Sequence, residues 1–367
     1  MILYVAIIVL LFVSLLINAA NQPDKAICKN NNMSSDFSSK RTLSLSSNLF
    51  FCGVLLLLWI LTAFRSANIG NDTKTYLGFF NAIKKYGVRK ENGLEYGYQI
   101  YCLIIGTIAA SENAILIVTA TLCYLGVGVY VLKFSDDIIF SLVLLFCICF
   151  SIFTNILRQS IAMVICLYAY QALKNKRLLL FALLVLFAST FHTSALIFLV
   201  LFFNEIFPKN ARTACMIALI LAALSMTNVI SGALQTVLPS YKGYFDGKYS
   251  NSGWLAVTYE FVRTIVFCLI IFHAYPGKKK QDMPVLANFS MLLFMVGLGY
   301  SVNLFTRASE YFLLTSIVEL PNALMKFSRK KRLFLVLSIG IVMMAYFIVV
   351  LIFRPEWNYM YPYEFWG

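Results

Sequence analysis

Two apolar runs, about 114–132 and 138–154, lead into Asn155-Ile156-Leu157-Arg158-Gln159-Ser160-Ile161-Ala162, and a third run, about 159–173, follows at once. Runs of this length match the ~20 residues a helix needs to cross the hydrocarbon core of a bilayer. Inside lipid every backbone N–H and C=O must be satisfied within the segment, so such runs fold as helices. Arg158 is the outlier. At mid-depth an arginine costs about 3 kcal/mol or more. It is kept there only if it snorkels to water or meets an anion.

The pattern recurs over the whole chain. Of 367 residues, 60% are hydrophobic and 13% charged, against about half and a quarter in a soluble domain. One globular core cannot hide that excess, so lipid must cover it. The expectation is one all-α polytopic membrane domain over residues 1–367, with about 11–14 transmembrane helices. Nine cysteines lie almost all inside apolar runs, with no CxxC pair and no zinc spacing, and read as packing residues. The first run has no basic n-region and no A-x-A site, so it reads as a retained span rather than a signal peptide.

In order, spans fall at about 2–18, 47–64, 96–110, 114–132, 138–154, 159–173, 213–231, 258–273, 285–304, 310–325 and 333–353. The run 178–207 is too long for one simple span and carries Phe191-His192-Thr193-Ser194 in its middle. It reads as two short helices meeting at His192. Asp72 is placed to N-cap a short amphipathic helix whose apolar positions 76, 79, 80 and 83 suit the membrane interface. Segment 65–93 is therefore expected as an outer or re-entrant stretch. Segment 232–257 is expected as a long extracytoplasmic loop, of a length usually tied to function.

The net charge of +14 is partly topological. Lys174–Arg177, Lys209–Arg212, Lys278–Lys280 and Arg329–Arg332 are each expected in the cytoplasm by the positive-inside rule. The polar 18–46 loop is expected there too. The second half is then consistent, while crossings counted through 65–155 conflict. The basic stretch Lys84–Lys90 favours a crossing or re-entry within 65–93.

The isolated charges are the candidate site. With the basic loops inside, His192, Arg307 and Glu310 fall on the opposite face. Arginine grips phosphate oxygens bidentately and stays charged at any pH. A histidine or carboxylate beside it serves as general base near neutral pH. Such a cavity suits a lipid-linked diphosphate. Plainer readings stand beside each residue. Arg158 snorkels; Arg307 pairs with Glu310, and Arg263 with Glu260, at i,i+3. Arg65 and Asp72 form a loop-stiffening pair. His192 is a hydrogen-bonded core residue, and Asp136-Asp137 is a loop end.

A resemblance runs through these same residues. The segments Arg65-x-x-Asn-Ile-Gly-Asn-Asp72-Thr73-x-x-Tyr76-x-x-Phe79-Phe80, Glu95-Tyr-Gly-Tyr98, Leu157-Arg158-Gln159-x-x-Ala162, Phe191-His192-x-Ser194-Ala195-Leu196 and Arg307-x-x-x-Tyr311-Phe312 with Leu320-Pro321 resemble, in order, the motifs of the EpsG family. That family belongs with the Wzy-type bacterial polysaccharide polymerases. The resemblance implies a fold similar to O-antigen ligases and polymerases, in the bacterial cytoplasmic membrane. It implies joining of oligosaccharide repeat units carried on undecaprenyl diphosphate at the outer face. Partners would be those lipid-linked sugars, the bilayer, a flippase and a chain-length regulator, with no nucleic acid and no cofactor.

On this reading Arg158, Arg307 and Arg65 are the expected diphosphate ligands, His192, Glu310 and Asp72 the catalytic candidates, and Gln159 and Arg263 supporting residues. Arginines standing at the leaving diphosphate make a metal unnecessary. Two rivals remain: a flippase or exporter of the lipid-linked sugar, and a membrane O-acyltransferase using His192 as base.

Overall fold

The computed structural model describes residues 2–21, 45–227, 254–277 and 279–366, with the isolated positions 229, 232 and 236. Most of the expected loops 18–46 and 232–257 lies outside the described residues. Among the described residues the chain is helical, without a strand. The apolar runs become α1 (Ile2–Asn21), α2 (Leu45–Ala63), α5 (Ala114–Phe134), α6 (Ile138–Asn155), α10 (Trp254–Ala274) and α14 (Arg329–Phe353). Between them come α3 (Thr73–Tyr86), α4 (Tyr96–Ile108), α7 (Leu157–Lys174), α8 (Leu178–Ser189) and α9 (Ala211–Met226). After α10 follow α11 (Met283–Leu298), α12 (Asn303–Leu313) and α13 (Ser316–Leu324).

Six described stretches are long and apolar enough to cross a membrane: α2, α5, α6, α10, α14, and Lys280–Leu298 containing α11. Four more apolar helices are shorter: the start of α1, α8, Thr193–Ile206 and α9. The expected span at 310–325 is instead the pair α12 and α13, separated at Leu314–Thr315. Thr315 and Ser316 turn their hydroxyls onto the carbonyls of Phe312 and Leu313, which supplies local bonds where the helix is interrupted.

The chain divides into two compact units. One comprises Met1–Val164, Ala188–Thr193 and Leu324–Gly367; the other comprises Ile165–Phe187 and Ser194–Ala323. In the first, α6 is the axis and is buried on nearly all sides, as its uniformly apolar surface requires. A π-turn at Leu145–Cys149 interrupts it. Asp137 caps its start, accepting from the Phe140 N–H at 3.0 Å, and also accepts from Asn18 at 2.9 Å. The expected loop end is thus a built cap. Tyr4, Phe146, Phe150 and Phe347 interlock around α6, with Phe146 and Phe347 4.6 Å apart.

The amphipathic α3 departs from expectation. Its apolar face does not lie on lipid alone: Tyr76, Leu77, Phe80 and Ile83 are buried with Tyr98, Cys102 and Ile105 of α4, Ile115 and Leu116 of α5, and Leu157. Asp72 stands at its N-cap position but makes no side-chain capping bond.

The segment after α14 folds back over the loop before α3. Ser66 N–H donates to Glu364 O (2.9 Å), Gly70 N–H to Tyr359 O (3.0 Å), and Trp366 N–H to Phe64 O (3.0 Å). In the second unit α11 is the buried axis, packed by α9, α10 and α12. Asn288 ties it to α12 and the turn beyond, donating to Thr315 Oγ1 (2.7 Å) and Phe312 O (3.1 Å).

Candidate functional site

Three separate chain segments meet in the first unit, and local chemistry explains each. Helix α8 ends in a tight turn, in which the N–H groups of Phe191 and His192 both reach back to Ala188 O (3.0 and 3.1 Å). Helix α4 abuts that turn. Tyr98 N–H donates to Thr190 O at 3.2 Å. Any Cβ on Gly97 would lie 2.3 Å from Thr190 Oγ1 and 2.7 Å from Thr190 O. Only glycine allows this approach, which is the physical reason for the Gly in Glu95-Tyr-Gly-Tyr98. Helix α7 begins after a break at Ile156, so Arg158 is its second residue.

The break before α7 is also secured through glycine. Gly70 adopts a positive φ of 87°, and a Cβ there would sit 2.8 Å from Thr154 O. The next residue, Asn71, donates its N–H to Asn155 Oδ1 at 2.6 Å.

At the meeting point stands Glu95, in extended backbone just ahead of α4. Its Oε2 accepts from Arg158 Nη1 at 2.5 Å. Its Oε1 lies 3.1 Å from His192 Nδ1 and accepts from the Thr193 N–H at 3.0 Å. Arg158 also bonds Tyr76 of α3, and its guanidinium lies over the Tyr98 ring, 5.9 Å from the centroid. The Arg158, Glu95 and His192 side chains are 21%, 15% and 27% exposed. The constellation is therefore anchored yet partly exposed at the surface of the unit. Arg158, for which snorkelling is the plainer reading from sequence, has a carboxylate partner within the protein.

Burial alone would push the Glu95 carboxyl up. The bonds from His192 and Thr193 and the Arg158 charge outweigh it, holding the group at about 2. Ionised, a carboxylate only accepts hydrogen bonds, so His192 Nδ1 must carry a hydrogen. In the neutral imidazole Nε2 is then the free base. Arg158 keeps a buried Nε–H without a partner. The site thus joins a proton acceptor and a cation through one carboxylate.

A model of the EpsG family matches residues 48–365. The chain belongs to the EpsG family. EpsG proteins are Wzy-like polysaccharide polymerases, so polysaccharide biosynthesis by a membrane polymerase is the function that comes with membership. No curated protein and no solved structure matches the chain. The span matched to the EpsG family contains Glu95, Arg158 and His192 as well as the charged residues of the second unit.

The remaining expected residues divide between the units. Arg65 is 1% exposed; its Nε donates to Thr73 Oγ1 at 3.2 Å and its Nη1 to Thr62 O. The expected Arg65–Asp72 ion pair is absent among the described residues; hydroxyl and carbonyl oxygens take its place. Asp72 stands one turn ahead of Tyr76, which feels its charge. Gln159 is buried. In the second unit, Glu310 of α12 feels the charges of Arg307 on its own helix and of Glu260 and Arg263 on α10. The two expected i,i+3 pairs thus form one cluster across α10 and α12.

Sequence reasoning misses Glu95 and Thr193 as site residues, although Glu95 opens one of the family motifs. Their bonds span 63 to 98 positions of sequence, and no periodicity reports such pairing. Lys174, expected as a loop charge, instead meets buried Glu319 at 2.5 Å within the second unit.

Proposed function

We propose that this EpsG protein joins oligosaccharide repeat units carried on undecaprenyl diphosphate, at the outer face of the bacterial cytoplasmic membrane. The supporting observation is that a base, His192, and a cation, Arg158, share one carboxylate in the first unit and are both partly exposed. A hydroxyl of the acceptor sugar attacks the anomeric carbon of the donor chain. The new C–O bond forms as the anomeric carbon–oxygen bond to the diphosphate breaks. The hydroxyl proton goes to His192 Nε2, and the electron pair leaves on undecaprenyl diphosphate.

Arg158 steadies the charge that develops on that leaving group, a role worth about 3 kcal/mol per donor where it acts in the transition state. Tyr76 and Asp72 border the acceptor side. Gln159 supports the start of α7. Arg65, buried on Thr62 and Thr73, braces the loop rather than meeting the diphosphate. Within the second unit, the Arg263–Arg307–Glu310 cluster is a separate candidate for contacts with sugar or phosphate. A flippase that delivers the lipid-linked unit and a chain-length regulator are the partners this reaction calls for.

The test is genetic and chemical. Arg158→Ala and His192→Gln are made in the native host, membrane levels are checked, and lipid-linked and surface glycans are separated on a gel. The proposal expects single repeat units to accumulate and the polymer ladder to vanish. An unchanged ladder contradicts it. Lost acetylation with an intact ladder points to the acyltransferase, and lipid-linked units trapped on the inner face point to an exporter.

A further inference from the structure

The site contains one carboxylate whose two oxygens serve two different functional groups, and neither the base nor the cation has another carboxylate partner among the described ion pairs. We propose that Glu95 is the positioning residue of the reaction: it sets the tautomer of His192 and holds Arg158 at a fixed distance from it. This rests on the roles given above to His192 and Arg158.

A carboxylate kept only to close a salt bridge needs one oxygen facing the cation. Here Oε2 faces Arg158 while Oε1 collects His192 Nδ1, the Thr193 N–H and, at 3.4 Å, the Thr193 hydroxyl. Thr193 supplies two donors to the same oxygen, which fixes the direction of the carboxylate toward the imidazole. Such orientation of a histidine by an acceptor on its second nitrogen decides which nitrogen is free for chemistry. Without the acceptor, the hydrogen is free to move to Nε2, and the base that faces the substrate is lost.

The backbone at this point does not depend on the Glu95 side chain. The Tyr98 N–H to Thr190 O bond, the Gly97–Thr190 approach and the ring contacts Tyr98–Tyr101 and Tyr101–Phe191 all hold α4 to the turn. A glutamine at 95 keeps the volume and keeps an oxygen for Thr193. With that oxygen toward Thr193 and His192 it turns an amide N–H onto Arg158, and flipped it turns the amide onto His192 and Thr193, so one of the two groups always loses its acceptor. Aspartate keeps both acceptors on a shorter stem.

The experiment uses the full chain, purified into lipid nanodiscs, with the host's own extracted lipid-linked repeat unit as substrate. Turnover is measured for wild type, Glu95→Gln, Glu95→Asp, His192→Gln and the Glu95→Gln/His192→Gln double variant, with thermal melts of each. Glu95→Gln should lower turnover on the order of 10²-fold, the usual scale for a proton-transfer group. Glu95→Asp should recover at least a tenth of the wild-type rate. The double variant should be slower than His192→Gln alone by less than the full Glu95→Gln penalty, because the part of that penalty that runs through His192 is already lost. Wild-type turnover in Glu95→Gln alongside a dead His192→Gln overturns the role of Glu95 and leaves the base in place. Fully multiplying penalties in the double variant also overturn the role of Glu95 in setting the His192 tautomer. Wild-type turnover in His192→Gln overturns the assigned base itself.

Discussion

Glu95 carries the largest electrostatic commitment in the site. Its carboxyl is held near 2, against an ordinary 4.5. Because the folded-state value is the lower one, ionised Glu95 stabilises the fold above pH 4.5. That contribution fades as pH falls from about 4.5 towards about 2 and is gone below. The shift corresponds to at most about 3–4 kcal/mol. Melting curves of wild type and Glu95→Gln should therefore differ most above pH 5 and converge as pH approaches 2. A difference that stays constant over that range would show that the Arg158 and His192 bonds do not hold the carboxylate. At the same scale, the lone arginine at the mouth of a span was legible in the sequence, because charge in lipid is costly enough to demand a reason. Its actual partner was not, since the carboxylate lies 63 positions away.

Among elements, the site depends on how closely α4 approaches the turn after α8. Gly97 makes that possible, since its missing Cβ would meet Thr190 below any real contact distance, against backbone as well as side chain. Gly97→Ala should lower stability by about 1–3 kcal/mol, as overpacking does, and displace Glu95 from His192. Gly53→Ala in α2 is the control: nothing stands within 4 Å of its Cβ, and alanine is the better helix former. A thermal melt that drops for Gly97→Ala and holds or rises for Gly53→Ala is expected; equal melts would mean that the α4–turn contact is loose. The sequence announced most of the elements. Apolar runs became helices within a few residues of expectation, and the break at His192 appeared where the run 178–207 exceeded one span. It did not announce the separation of α12 from α13, because nothing in the apolar pattern around Leu314 differs from a continuous helix. Nor did it announce that α3 buries its apolar face against α4 and α5. An amphipathic stripe looks the same whether lipid or protein covers it.

For the whole molecule, membership of the EpsG family and an all-helical membrane fold agree with the composition that first excluded a soluble domain. The charged constellations are found in both compact units, each formed from side chains that the chain separates widely. Of the residues marked from sequence, Arg158 and His192 share a carboxylate in one unit, and Arg263, Arg307 and Glu310 gather in the other. Arg65 was legible as unusual, but its burial was not, because a short polar motif does not reveal that the segment after α14 will fold over it. The proposed reaction forms glycosidic bonds at the expense of a lipid diphosphate. It is tested most directly by incubating the purified protein with extracted lipid-linked repeat units and following both products by mass spectrometry. Glycan dimers and longer chains are expected, with one undecaprenyl diphosphate released per linkage and neither product with Arg158→Ala. Polymer formed without released lipid diphosphate, or equal yields from Arg158→Ala, would contradict it.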